Sequence, residues 1–120
     1  MMIAVTSTGQ DLDAAVDSRF GRCKGFVLVD SETGEFKALS NEQNLQAPQG
    51  AGIQSAQKVV EAGAQVVLTG HCGPKAFQVL TAGGVHVCNG AQGTVRDAVA
   101  AYKDGTLTSA QQADVPGHWV

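Results

Sequence analysis

Val66-Val67-Leu68-Thr69-Gly70-His71-Cys72-Gly73-Pro74-Lys75-Ala76-Phe77 is the stretch from which the fold can be read. Val66 to Leu68 is a continuous apolar run, as expected of a central strand covered on both faces. Gly70 to Gly73 is a tight loop. Pro74 suits the first turn of a helix, where its missing N–H costs nothing. Ala76, Phe77, Val79 and Leu80 then supply an apolar stripe, and Gly83-Gly84 stops the helix. Strand, glycine loop and helix in that order form the core of a βαβ unit. Val85-His86-Val87 follows as the next strand.

Working outward, Met2 to Thr6 reads as a first strand and Ser7 to Arg19 as a long polar loop. Phe26 to Asp30 and Glu35 to Leu39 flank the short turn Ser31-Glu32-Thr33-Gly34 and predict an antiparallel hairpin. Asn41 to Gly50 is a second polar loop. Ala51 to Ala62 has helical periodicity, with Ile53, Ala56, Val59 and Val60 on one face and Gly63 as the stop. After the glycine loop Gly90 to Gly93, Thr94-Val95-Arg96-Asp97 has capping-box spacing, and the helix runs past Tyr102 to end at Gly105. The order is βββαβαβα, over one domain spanning residues 1–120. Right-handed crossovers make strands four and five parallel to strand one and give a five-stranded mixed sheet of order 3-2-1-4-5 with three helices.

In such sheets ligands bind beyond the carboxyl ends of the strands where the winding reverses, here between strands one and four. The loops after strands one, three, four and five leave at that edge, and Arg19-Phe20-Gly21-Arg22-Cys23 enters strand two from it. Helix N-termini offer free N–H groups and partial positive charge. Glycines permit close backbone approach. Arg19, Arg22, Gly70, His71, Cys72, Gly73, Lys75, Asn89 and Gly90 are therefore the candidate binding residues for a compact, multiply charged anion. Cys72 and His71 are the candidate direct metal ligands. The bland alternatives are that Cys23, Cys72 and Cys88 are small buried apolar residues, and that Phe20 belongs to the core. His71 and His86 would then serve structure alone, and His118 and Trp119 would dock the tail.

Composition bounds the partners. Eight Lys and Arg against eleven Asp and Glu give a formal net charge of −3, without the basic footprint of a nucleic-acid binder. Met1-Met2-Ile3-Ala4-Val5 carries no basic leader, and no apolar run approaches the roughly 20 residues of a membrane helix. The expectation is a cytoplasmic protein with no membrane partner. Three widely spaced cysteines suit free thiols in a reducing compartment and match no zinc or ferredoxin spacing.

Asp17-Ser18-Arg19-Phe20-Gly21-Arg22, Asn44 followed by Gly50-Ala51-Gly52, and Gly70-His71-Cys72-Gly73-Pro74-Lys75-Ala76-Phe77 together resemble the motifs of the dinitrogenase iron-molybdenum cofactor biosynthesis family. The ending Gly117-His118-Trp119 resembles the subgroup containing the orange protein. The resemblance covers essentially the whole chain. It implies a ribonuclease-H-like α/β fold and no catalysis. It implies binding of iron-molybdenum cofactor precursors or of a mixed molybdenum–copper sulfide cluster, in the company of MinD-like P-loop ATPases. Two competing functions stand beside it. A two-metal nuclease would need converging carboxylates; strand one offers none, and Asp30 ends strand two at the opposite edge. A regulatory module would use the glycine edge for a small anion or a partner ATPase.

Overall fold

The computed structural model describes residues 1–41 and 51–110. The expected polar loop beyond Asn41 and the C-terminal Gly117-His118-Trp119 lie outside the described residues. Five strands form one sheet: β1 (Met2–Ser7), β2 (Gly25–Asp30), β3 (Phe36–Ser40), β4 (Val66–Leu68) and β5 (His86–Cys88). Three helices accompany them among the described residues: α1 (Ala51–Glu61), α2 (Pro74–Ala82) and α3 (Val95–Lys103). The sheet order is β3-β2-β1-β4-β5. β1 pairs antiparallel with β2 and parallel with β4; the β2–β3 pair is antiparallel and the β4–β5 pair parallel. The predicted order and directions are the observed ones.

Boundaries move by one residue for specific reasons. β1 extends to Ser7 and β2 begins at Gly25 because those two residues pair. At Gly25 a Cβ would lie 2.7 Å from the Leu39 carbonyl oxygen, so only glycine lets β3 close there. β3 shifts from the expected Glu35–Leu39 to Phe36–Ser40, since the Glu35 carbonyl is used by the Asp30 N–H to close the hairpin. β5 runs from His86 to Cys88 in place of Val85 to Val87.

The pleat sorts the core into two layers. Ala4, Phe26, Leu28, Val67 and Val87 face α1 and α2, where they meet Ala56, Val59, Ala76 and Leu80. Ile3, Val5, Val27, Val29, Val66, Leu68 and Cys88 face the other way, onto Val95, Ala98 and Val99 of α3. β1 and β4 are buried on both faces, which is why their sequences show no alternation. β3 is an exposed edge, with Phe36 45% accessible. At the other edge the Ala110 N–H donates to the Val87 carbonyl at 2.6 Å.

The long segment after β1 is less of a loop than its polarity suggests. Val16 bridges Ser7, Ala15 bridges Thr94, and Arg19 bridges His71. Its backbone also joins the N-terminus of α3: the Val16 N–H reaches the Gly93 carbonyl at 2.9 Å, and the Val95 N–H reaches the Ala14 carbonyl at 2.9 Å.

The capping box foreseen at Thr94 is complete. The Thr94 hydroxyl accepts from the Asp97 N–H at 3.1 Å, and the Asp97 carboxylate accepts from the Thr94 N–H at 3.1 Å. Thr94→Ala leaves one donor uncapped and should cost about 1 kcal/mol, read as a lower urea midpoint with an unchanged slope in equilibrium unfolding.

Candidate functional site

Thr6 and Thr69 end the apolar runs of β1 and β4, and both are fully buried. Their hydroxyl oxygens lie 3.0 Å apart across the parallel pair. The Thr6 hydroxyl also donates to the Asp17 carbonyl at 2.7 Å, while the Asp17 N–H returns to the Thr6 carbonyl at 2.9 Å. Asp17 in turn accepts the Arg19 N–H on its carboxylate at 3.2 Å. The chain from Asp17 to Lys24 is thereby laid across the carboxyl ends of the central strands. The Phe20 N–H then donates to the His71 carbonyl at 3.1 Å, which fastens this segment to the loop after β4. Phe20 is buried, its ring centroid 5.5 Å from that of Phe26. The aromatic anchor and the flanking arginines serve together: burial of Phe20 fixes the backbone that carries Arg19 and Arg22.

The loop after β5 joins the same cluster. The Gly90 N–H donates to the Gly70 carbonyl at 2.9 Å and the Ala91 N–H to the Thr69 carbonyl at 3.0 Å. Gly90 has φ 83°, the left-handed region that glycine enters without strain. Gly70 is required for a different reason, close approach. A Cβ there would sit 2.6 Å from the Ser18 carbonyl oxygen and 2.8 Å from the Ser18 Cα.

The structure thus joins the backbone at Arg19, Gly70, His71 and Gly90, with Arg22, Gly73, Lys75 and Asn89 close to them in sequence. Arg19 and Lys75 are exposed, and Arg22 and His71 are half-buried. Gly73 caps α2 with an extended backbone and no side-chain hydrogen bond, and Pro74 occupies the first turn. Among the described residues no side chain caps the first turn of α2. Asn89 adds a buried Oδ1 without a hydrogen-bond partner among the described residues. Such an atom in a native site calls for a water or a ligand group.

Two observations bear on the expected site. The N-terminus of α3 does not contribute open donors: the Thr94–Asp97 box takes two of them, and the Val95 and Arg96 N–H groups donate to the Ala14 and Leu12 carbonyls, each at 2.9 Å. Cys72 does not present its thiol to the edge. It is fully buried among the core residues under α1 and α2, with Sγ 3.6 Å from the Gly73 carbonyl. Loop position placed Cys72 at the edge, but its side chain turned inward to fill core space. Cys23 lies in the same layer and Cys88 in the opposite one. Burial pushes the Cys23 thiol far above its ordinary range, with the charge of Asp17 adding to the effect. Burial alone pushes Cys88 from 9.0 to about 11. Both shifts disfavour the thiolate, the form that binds metal, at Cys23 and Cys88. Among the described residues no group of three or more His, Cys, Asp or Glu could hold a metal ion. His86, expected inside an apolar strand, is exposed, its Nδ1 3.5 Å from the Ser109 hydroxyl.

Sequence reasoning missed the Thr6–Thr69–Asp17 contact. Its one available signal was a threonine terminating each of two apolar runs. It also missed Asn41, the residue after β3, which is fully buried.

A doubly covered, mixed α/β sheet with a cationic, glycine-built edge at its winding reversal is the class that fold and geometry define. A family model described as "Dinitrogenase iron-molybdenum cofactor" matches residues 1–105. The apo form of the orange protein from Desulfovibrio gigas superposes with a TM-score of 0.93 at 43% identity, over 95% of this chain and 96% of that one. The NMR structure of a Thermotoga protein provisionally assigned as NifB gives 0.78 at 31% identity, over 90% and 91%. An uncharacterized protein of Methanocaldococcus jannaschii is 28% identical over 90 residues, 73% of this chain and 76% of its own length. The chain belongs to the dinitrogenase iron-molybdenum cofactor family and is an orange-protein-like member of it.

Gly70→Ala should force the Ser18 backbone away and cost about 1–3 kcal/mol, with amide shifts centred on residues 17–22 and 70–73 in the folded variant. The raised Cys88 pKa has a sign that can be tested. In the unfolded chain the thiol ionises near 9.0, whereas in the folded chain it holds its proton to about 11. Its contribution to stability is fully present below pH 9 and is lost as pH rises toward 11. Cys88→Ala should flatten that part of the stability–pH curve in urea unfolding; an unchanged alkaline slope would contradict the assignment.

Proposed function

We propose that this protein carries a molybdenum-containing metal–sulfur cluster, as cargo and without catalysing a reaction on it. Membership of the family supports the cluster class, and likeness to the orange protein supports the molybdenum theme. The observation that carries the reading is the uncapped N-terminus of α2, beside a segment bearing Arg19 and Arg22 and followed by Lys75. A thiomolybdate-type anion has sulfide at its surface. Backbone N–H groups and guanidinium can hold such an anion by charge-assisted hydrogen bonds with no protein–metal bond. That matches a site whose cysteine thiols are buried. The preferred cargo is a mixed molybdenum–copper sulfide cluster, with an iron-molybdenum cofactor precursor as the other member of the class. His71 is the one candidate direct ligand retained. We further propose MinD-like P-loop ATPases as the partners that exchange cargo with this edge.

The test is anaerobic addition of tetrathiomolybdate and copper(I) to the apo-protein, followed by amide NMR. Shifts should concentrate at residues 17–24, 70–76 and 89–91. Arg19→Gln combined with Lys75→Gln should weaken binding roughly tenfold, and added salt should weaken the wild type more than the variant. Cys72→Ser should leave affinity unchanged. Shifts confined to the hairpin turn at Ser31 to Gly34, on the opposite edge, would overturn the site.

A further inference from the structure

We infer that Asn41, supported by Ser55, is a positioning residue for the cationic segment of the binding edge; this rests on the function proposed above. Residues 19–24 contain no helix and no strand, yet they carry Arg19, Arg22 and Lys24. On the edge side this segment is held by Thr6, through Asp17, and by His71. On the inner side it is held by Asn41. The Asn41 N–H donates to the Lys24 carbonyl at 2.9 Å, and its Nδ2 donates to the Cys23 carbonyl at 3.0 Å, with the Cys23 Sγ 3.7 Å away. The Ser55 hydroxyl, from the middle of α1, donates to Asn41 Oδ1 at 3.1 Å and lies 3.4 Å from the Gly21 carbonyl.

Asn41 and Ser55 are both fully inaccessible. Burying two polar side chains is unfavourable unless they are paired, and core volume alone could be filled by apolar groups. A satisfied buried network specifies one arrangement instead of adding bulk stability. The arrangement specified here is the path of Gly21 to Lys24. Side-chain amide and hydroxyl set that path from behind, along the stretch that carries Arg22 and Lys24. Asn41 touches none of the proposed cargo; it acts through Arg19 and Arg22.

The experiment compares wild type with Asn41→Ala and Ser55→Ala. Hydrogen exchange without any ligand comes first. Amides of residues 20–24 should exchange about tenfold faster in each variant, while those of β1 and β4 keep their protection. Tetrathiomolybdate with copper(I) comes second. Affinity should fall about fivefold to tenfold and the salt dependence should flatten, because loosened arginines no longer act together. Asn41→Asp keeps the oxygen acceptors but loses the donor to Cys23, and should behave like Asn41→Ala. If wild type binds the probe and the folded Ser55→Ala and Asn41→Ala bind it with unchanged affinity and salt slope, the positioning role is refuted. Unchanged exchange at residues 20–24 refutes it independently of any ligand. Failure of wild type to bind the probe would overturn the proposed function, while the exchange comparison still decides the role of Asn41.

Discussion

β1 changes the direction of the sheet. It runs antiparallel to β2 on one side and parallel to β4 on the other, and it is buried on both faces. Because β1, β4 and β5 point the same way, the connections after them emerge together. Because β2 points the opposite way, its incoming segment arrives at the same place. The edge is a consequence of that single reversal, and the hydroxyl contact between Thr6 and Thr69 sits directly on it. A polar pair inside an otherwise apolar layer is tolerated because each hydroxyl has a partner, and the Thr6 hydroxyl spends its proton on the Asp17 carbonyl that begins the cationic segment.

Electrostatics at this edge is local, since the chain as a whole is acidic. The start of α2, which no side chain among the described residues caps, lies next to the loop that Arg19 bridges, and Lys75 follows in its first turn. The first turn of α3, on the opposite face, is occupied by its own Thr94 and Asp97 and by the Ala14 and Leu12 carbonyls. The device that stabilises α3 also silences it as an anion site.

Element types and sheet order were legible because they rest on repeated signals. Val66 to Leu68 lacks alternation, α1 has an apolar face, and glycines or caps mark the ends of α2 and α3. The capping box was readable at Thr94, although its closing effect on the α3 terminus was not weighed. What could not be read depends on side-chain direction within irregular backbone. Cys72 stands between a histidine and a glycine in a loop, and no periodicity tells whether its Sγ turns to solvent or to the core. Asn41 opens a polar stretch and looks like a solvated residue; only the fold, which brings Cys23 and Ser55 to its side chain, shows it to be buried. The tethering of residues 14–19 was hidden for the same reason, since bridges to Thr94 and His71 connect positions far apart in sequence.

The Thr6–Thr69 contact joins residues 63 positions apart, and the edge draws on both halves of the chain. No short piece contains it. A ligand at this place sees the fold as a whole: it binds only the complete native state, and mass action then lends its binding free energy to every element at once. Local fraying of one loop cannot release such a ligand while leaving the remaining contacts whole. With the proposed cargo bound at this edge, loading and folding would be two readings of one equilibrium.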